Sequence, residues 1–171
     1  MNQPSAPEEF RPQLISRRGE LIAWATALMV LAAWYILRQS GQALLPVVPI
    51  LAILLLLAAL SISLGNWMDR HTYIRLEDSG VIFHNGLRNV HLHWDQIKQV
   101  DVTPSKWGKK VQVLGDHAHF GFRTLGEVEA YGKSIGSMGF ENGEWILEQI
   151  LERGGLQARH QQESGYYYTR G

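Results

Sequence analysis

Two long runs without a charged side chain lie close together near the start of the chain. Residues 21–37 and 43–64 are almost entirely apolar, and only Arg38 to Gln42 separate them. A helix needs about 20 apolar residues to cross the hydrocarbon core of a bilayer. Because a connection this short makes neighbouring helices antiparallel, both outer ends must lie on one side. The sequence therefore predicts a transmembrane helical hairpin over residues 20–68.

A signal peptide and a buried core helix are the alternatives to this interpretation. The first run is long for a signal peptide, and Trp34, Tyr35 and Arg38 stand where its cleavage site would need small residues. The second run is longer than most core helices of soluble proteins. Proline is tolerated in the first turn of a helix, so this helix is predicted to begin at Pro46. Two membrane spans are the preferred interpretation.

Arginine distinguishes the outer flanks of the hairpin from its connecting loop. The loop contributes only Arg38, whereas the outer flanks contribute Arg11, Arg17, Arg18, Arg70 and Arg75. Short segments rich in Lys and Arg remain in the cytoplasm. The distribution predicts a multi-pass protein with both termini in the cytoplasm, which in a bacterium places the hairpin in the inner membrane.

The charge balance limits the classes of partner. The chain has 16 basic and 16 acidic residues, without the basic surplus of a nucleic-acid-binding domain. No nucleic-acid partner is expected. Residues 69–158 are long enough for one small cytoplasmic domain. Residues 1–19 and 159–171 are polar and aperiodic, and we expect them to form flexible tails.

Alternation of apolar and polar residues begins at His71 and indicates strands. In the clearest case Val90, Leu92 and Trp94 point one way, while the polar residues between them point the other. Six short strands are predicted, within residues 73–77, 81–84, 89–95, 97–102, 111–113 and 118–122. Short strands at this spacing are typical of a small antiparallel barrel or sandwich.

The domain is predicted to end in an amphipathic helix. Apolar residues from Trp145 to Leu151 recur at helical spacing, between a possible cap at Asn142 and a terminating pair at Gly154-Gly155. Residues 125–139 precede this helix and are rich in glycine, which disfavours helices. A further strand and a loose helix are both open for that stretch.

Three stretches resemble the bacterial pleckstrin-homology-like (PH-like) domains. They are Tyr73-Ile74-Arg75-Leu76, Asp78-Ser79-Gly80-Val81-Ile82 and, above all, Trp94-Asp95-Gln96-Ile97-Lys98-Gln99-Val100. The last is similar to the bend between the third and fourth strands of that family. The resemblance implies an α+β domain, a PH-like antiparallel barrel capped by a C-terminal helix, in which Trp94, Ile97 and Val100 fill the core. It implies a fold and no chemistry.

Histidine pairs raise the question of a metal site. His91 with His93, and His117 with His119, each lie on one face of a strand, since residues i and i+2 point together. Four imidazoles suit zinc or copper, but the third and sixth strands of a PH-like barrel belong to different sheets. We therefore expect the pairs to be solvated and predict no metal and no cofactor.

A basic loop is the candidate contact site of the domain. It contains Lys106, Trp107, Lys109 and Lys110, and lysines around an indole suit anionic headgroups or an acidic partner. An ordinary solvated hairpin loop is the alternative.

The first membrane span offers a candidate helix-packing face. Ala23 and Ala27 lie one turn apart, and small residues let helices approach closely in lipid. This face could bind a partner helix or only the second span.

No catalytic residue is predicted, because the chain lacks cysteine, phosphate-binding glycine loops and a helical histidine–glutamate motif. We expect a non-enzymatic accessory or assembly subunit of a larger membrane protein complex. A peripheral lipid or ligand sensor at the cytoplasmic membrane face is the alternative.

Overall fold

The structure is a computed structural model that divides the chain into two compact units. One unit contains residues 16–68, and the other combines residues 1–15 with residues 69–171. The second unit is thus assembled from the segments before and after the first. The residues that the structure describes are 8–14, 17–41, 47–130, 132–162 and 165–170.

The first unit is a pair of long helices. α1 spans Arg18–Gln39 and α2 spans Val47–Arg70. By length and composition, both helices could cross a membrane. The predicted start at Pro46 lies outside the described residues, and α2 is described from Val47 onward.

A polar cluster joins the start of α1 to the last turns of α2. The indole nitrogen of Trp24 donates to Oγ of Ser63 (2.8 Å), and that hydroxyl donates to Oε1 of Glu20 (2.8 Å). The side-chain amide of Asn66 donates to the other oxygen of Glu20 (2.8 Å). The start of α1 therefore lies beside the end of α2, and the two helices are antiparallel.

Small side chains occupy the inner face of the helix pair. Ala27 lies one turn beyond Trp24 in α1, and Ala59 lies one turn before Ser63 in α2. Both alanines are completely buried, and Ala52 is 1% exposed. Small side chains allow closely packed helices in an apolar environment.

The outer surface of the helix pair is apolar. Only 6% of the residues in the most apolar window of α1 and 11% in that of α2 are buried, whereas a core helix of a soluble protein is mostly buried. Soluble proteins rarely expose so many neighbouring large apolar side chains. Among the exposed side chains are Leu21, Ile22, Leu28, Met29 and Ile36 on α1, and Ile50, Leu54, Leu57, Leu60 and Leu64 on α2.

The second unit consists of short strands and one helix. In the described residues, its helix α3 spans Gly143–Gly154, and a short 3₁₀ turn spans Trp94–Gln96. The strands are β1 Glu8–Phe10, β2 Pro12–Gln13, β3 Thr72–Leu76, β4 Gly80–Asn85, β5 Asn89–His93, β6 Ile97–Thr103, β7 Lys110–Gly115, β8 His119–Arg123, β9 Gly126–Ala130, β10 Lys133–Phe140, β11 Leu156–Gln162 and β12 Gly165–Arg170.

The strands form antiparallel sheets. A four-stranded sheet has the order β1-β3-β4-β5, and a five-stranded sheet has the order β11-β12-β6-β7-β8. A smaller sheet has the order β2-β10-β9. Two long apolar helices followed by antiparallel sheets and a further helix agree with the predicted layout. The helix is not the last element, however, because β11 and β12 follow it.

The predicted alternation holds from β3 to β8. Val90 and Leu92 are buried in β5, while the histidines next to them are exposed. α3 adds Ile146, Leu147 and Ile150 to the same core. The core cluster also contains Ile74, Leu76, Val81, Phe83, Ile97, Val100, Val102, Val111, Val113, Phe120, Phe122 and Phe140.

The predicted positions of the helix ends are confirmed, although the side chain of Asn142 makes no capping hydrogen bond. α3 follows Asn142, and the amide of Ile146 donates to the Asn142 carbonyl oxygen (2.9 Å). Gly155 has φ of +63° and terminates the helix, a conformation that favours glycine.

Trp94 does not fill the core as predicted. It begins the 3₁₀ turn rather than continuing β5, and it is only half-buried against the core. Its indole nitrogen donates to the carbonyl oxygen of Asp78 (2.9 Å). A tryptophan whose N–H needs a partner is well placed at a core margin. Ile97 and Val100 are completely buried, as predicted.

The prediction of a flexible N-terminal tail does not hold for its described residues. β1 pairs with β3, and Phe10 lies opposite Ile74. Phe10 is 8% exposed, and its ring centroid lies 5.4 Å from that of Trp145. A three-residue strand has no visible periodicity, and its partner strand lies beyond the helix pair. The local sequence pattern could not indicate this pairing.

An ion-pair cluster accompanies β1 at this edge. The carboxylate of Glu9 accepts hydrogen bonds from Arg75 and Arg11, each at 3.0 Å. These hydrogen bonds, first that of Arg75, lower the pKa of Glu9. The ionised form of Glu9 is therefore the form that the folded state favours.

The predicted C-terminal tail also forms a strand. β12 pairs with β6, and Tyr168 lies opposite Val100 and packs against the core. The guanidinium of Arg170 donates to the carbonyl oxygens of Asp95 (2.7 Å), Trp94 (2.8 Å) and Gly154 (3.0 Å). These bonds join β12 to the 3₁₀ turn and to the end of α3.

The unassigned residues 125–139 lie largely in a hairpin. β9 and β10 pair with a register shift between Ser134 and Gly136. The strand alternative is therefore the correct one for the described part of this stretch. The glycines had obscured it, because glycine disfavours strands as well as helices.

Candidate functional site

The predicted contact loop lies between β6 and β7 and is fixed on Thr124. Thr124 directly follows β8 and is 3% exposed. Its hydroxyl accepts a hydrogen bond from the amide of Lys109 (2.9 Å), and its amide donates to the Lys109 carbonyl oxygen (2.9 Å). The loop thus has a defined position at the end of the five-stranded sheet.

Two glycines allow the loop to lie against the chain that follows Thr124. Gly108 has φ of +84°, and a Cβ there would come within 2.3 Å of the Thr124 carbonyl oxygen. A Cβ on Gly126 would come within 2.1 Å of the carbonyl carbon of Trp107. Only glycine permits approaches this close. The start of β9 therefore lies directly against the loop.

The three predicted lysines differ in their surroundings. Nζ of Lys109 lies 2.8 Å from a carboxylate oxygen of Glu144, so its charge is compensated. Lys106 and Lys110 are exposed, and neither forms an ion pair with any residue that the structure describes. These two lysines are better placed than Lys109 to meet an anionic ligand.

Arg123 adds a cation that the sequence did not indicate. Its guanidinium carbon lies 5.9 Å from the ring centroid of Trp107, within the range of cation–π interactions. It also lies opposite Lys110 in the β7–β8 pair. Alternation in β8 could have placed Arg123 outside the core. Its position beside Trp107 depends on the loop conformation, which the sequence does not reveal.

Two exposed apolar side chains complete this surface. Trp107 is 42% exposed and Leu125 is 38% exposed. Their segments are in contact, because a Cβ on Gly108 would lie 3.1 Å from the Leu125 carbonyl oxygen. We call this set of five side chains the Trp107 surface; its members are Lys106, Trp107, Lys110, Arg123 and Leu125. It is cationic and amphipathic.

The predicted helix-packing residues lie on the inner face of the hairpin. Ala27 is completely buried and Ala23 is half-buried. Of the two alternatives, packing of the spans against each other fits this burial. The exposed small residues of α2 are Ala58, Ser61 and Gly65, and a Cβ on Gly65 would meet nothing within 4 Å.

The histidine pairs lie in different sheets. The rings of His91 and His93 are 4.9 Å apart on the exposed face of β5. His119 belongs to β8 in the five-stranded sheet, and His117 precedes it in the turn. Among the described residues, no three His, Cys, Asp or Glu side chains form a group that could hold a metal ion.

Comparison with protein-family models, with curated proteins and with solved structures finds no match for this chain.

Proposed function

We propose that the chain is a non-enzymatic, membrane-anchored PH-like protein that acts as an accessory or assembly subunit of a larger membrane protein complex. The observation that carries this proposal is the surface of the helix pair. Its inner face is closed by alanines and a polar cluster, and its outer face consists of large apolar side chains. An exterior of this kind suits lipid and other membrane helices.

The proposed topology has both termini in the cytoplasm of a bacterium. The arginine distribution supports it. The pairing of β1 with β3 supports one part of this topology, because it requires the segments before α1 and after α2 to lie on the same side. A periplasm-specific reporter fused after Gly171 should remain inactive.

The exposed small residues of α2 are the best-placed contacts for a partner helix. Ala27 is unavailable, since it is buried. Ser61 and Gly65 lie one turn apart and are exposed, a spacing that favours close helix packing.

Purification in mild detergent tests the proposal. The full chain should bring down stoichiometric membrane subunits, and Ser61→Leu with Gly65→Leu should weaken their recovery while insertion is unchanged. Ala25→Leu, on the exposed side of α1, is the matched control and should have no effect. Recovery of a lone monomer from native membranes, after chemical cross-linking as well, would refute the accessory-subunit proposal.

The Trp107 surface supports a second candidate function, a lipid sensor at the cytoplasmic membrane face. Two exposed lysines that form no ion pair with a described residue, an arginine and two exposed apolar side chains suit anionic headgroups. Each cation near such a surface contributes about 1 kcal/mol. Lys98, which is paired with Asp116, provides the control lysine.

The full chain in nanodiscs tests this second candidate. Phosphatidylglycerol should slow trypsin cleavage after Lys106 and Lys110 relative to phosphatidylcholine, and cleavage after Lys98 should not change. Equal cleavage in both lipids would exclude the sensor.

A further inference from the structure

A rigid turn presents an apolar side chain outside the core. Among the described residues of the second unit, Leu87 is the most exposed large apolar side chain, at 64%. The turn Asn85–Arg88 joins β4 to β5. The Asn85 amide donates to the Arg88 carbonyl oxygen (3.1 Å), and the Arg88 amide donates to Oδ1 of Asn85 (2.9 Å). Leu87 is therefore held outward by a closed turn.

The register of the four-stranded sheet places this turn close to the end of α2. Asn85 pairs with Thr72, which follows the last residue of α2, Arg70, by two positions. Arg70 precedes Thr72 by two residues, and Leu87 follows Asn85 by two residues. Since Thr72 and Asn85 are paired, the Cα atoms of Arg70 and Leu87 lie within about 20 Å of each other. This limit depends only on chain connectivity and strand pairing.

The two turns of the β3–β4–β5 meander differ in chemistry. The turn near the end of α2 carries Leu87 and Arg88, whereas the turn at the far end carries Glu77, Asp78 and Ser79. An anionic bilayer attracts arginine and repels carboxylates. The leucine beside the arginine matches the boundary between acyl chains and phosphates.

We propose that Leu87 and Arg88 form a second, shallow contact with the bilayer, in which Leu87 enters the interfacial layer and Arg88 binds lipid phosphate. This inference rests on the proposed membrane-spanning role of α2. The sheet unit then contacts the bilayer at this turn as well as being linked to α2 through the chain.

Site-specific fluorescence tests the contact. The sequence contains no cysteine, so a single introduced cysteine can be labelled specifically. Leu87→Cys, Ser79→Cys and Leu54→Cys would each carry the dye NBD in nanodiscs containing phosphatidylglycerol. Quenching is measured with nitroxide-labelled lipids and with aqueous iodide. Ser79 is the matched control at the opposite turn, and Leu54 is an exposed residue of α2 that reports whether the helix spans.

The expected result is strong quenching of the Leu87 dye by shallow nitroxide lipids, with a several-fold weaker effect of iodide than on the Ser79 dye. A Leu87 dye that behaves like the Ser79 dye would overturn the inference, as would protection from iodide without quenching by lipid, which indicates a protein contact. If the Leu54 dye is not quenched by deep nitroxide lipids, the membrane-spanning proposal itself fails.

A second measurement places the dye on a neighbouring residue, so that the native Leu87 can be compared with Leu87→Ser. A dye on Asn89→Cys, which is exposed at the start of β5, should become several-fold more accessible to iodide when Leu87 is changed to Ser. Unchanged accessibility would contradict the contact.

Discussion

Replacing Gly126 with alanine should displace the loop that carries Trp107. The new Cβ would lie 2.1 Å from the carbonyl carbon of Trp107 and 2.2 Å from the amide nitrogen of Gly108, whereas ordinary contacts begin at 3.4 Å. Both obstacles are backbone atoms and cannot rotate away. The loop and β9 must therefore separate by about 1 Å or more.

The cost of this separation can be estimated from the contacts it disturbs. It would break the two hydrogen bonds between Lys109 and Thr124, each worth about 1 kcal/mol, and overpacking adds about 1–3 kcal/mol. We expect the free energy of unfolding to fall by about 3–5 kcal/mol, which lowers Tm by more than about 10 °C in a domain of this size. Circular dichroism of the full chain in mild detergent measures this, and trypsin should cleave after Lys106 faster.

Gly121→Ala is the matched control. Its Cβ would lie 3.3 Å from the nearest atom, the carbonyl oxygen of Val111, so a small adjustment suffices and the cost should stay below about 1 kcal/mol. Gly126→Ala and Gly121→Ala with the same Tm and the same rate of trypsin cleavage would contradict this prediction. The loop would then not be fixed by the contact with Gly126, and the Trp107 surface would not be preformed.

Other substitutions test the helix pair and two of the strands that the sequence did not predict, β1 and β12. Ala27→Leu should destabilise the helix pair by about 1–3 kcal/mol through overpacking, measured by titration with denaturing detergent, whereas Ala25→Leu should have little effect because that position is exposed. Arg170→Ala should cost about 1–2 kcal/mol in thermal unfolding, because three carbonyl oxygens lose a charged donor. Glu9→Gln should flatten the acid side of the stability–pH curve. The pKa of Glu9 is lowered by Arg75, so its stabilisation is present above the ordinary glutamate pKa and is lost as the pH falls through the lowered value.

Each of these predictions has an outcome that contradicts it. Equal detergent resistance of Ala27→Leu and Ala25→Leu would place Ala27 outside the helix interface. An unchanged Tm for Arg170→Ala would mean that β12 is not joined to the 3₁₀ turn through its arginine. Parallel melting curves of the wild type and Glu9→Gln between neutral and acid pH would show that the β1 ion pair does not contribute to folding.

The sequence predicted elements whose residues repeat locally. The uncharged runs indicated α1 and α2, and alternation around Leu92 and Phe120 indicated the strands from β3 to β8. Each signal depends on neighbours within a few residues, and each element is longer than the period that identifies it. That is why their positions could be inferred without tertiary information.

The missed features depend on contacts between distant segments. Phe10 is positioned by the pairing of β1 with β3, and both long helices lie between these strands in the sequence. Position 126 requires glycine because a Cβ there would collide with the backbone of Trp107, which is distant in sequence. In the sequence, Trp94 continues the alternation of β5. In the structure its indole N–H donates to the Asp78 carbonyl oxygen, and the side chain lies at the edge of the core. The candidate lysines could be named, but the ion pair of Lys109 with Glu144 could not be foreseen.

The pairing of β1 with β3 also determines the order in which the protein can be completed. β1 is synthesised first, but its partner strand emerges only after both long helices. For a membrane-spanning hairpin, a chain with one helix inserted would leave β1 and β3 in different compartments, with Phe10 unable to enter the core. The edge of β3 would then remain unpaired, and an open edge favours aggregation. For such a hairpin, completion of the four-stranded sheet depends on correct insertion, and a misinserted chain cannot acquire the fold of a finished one.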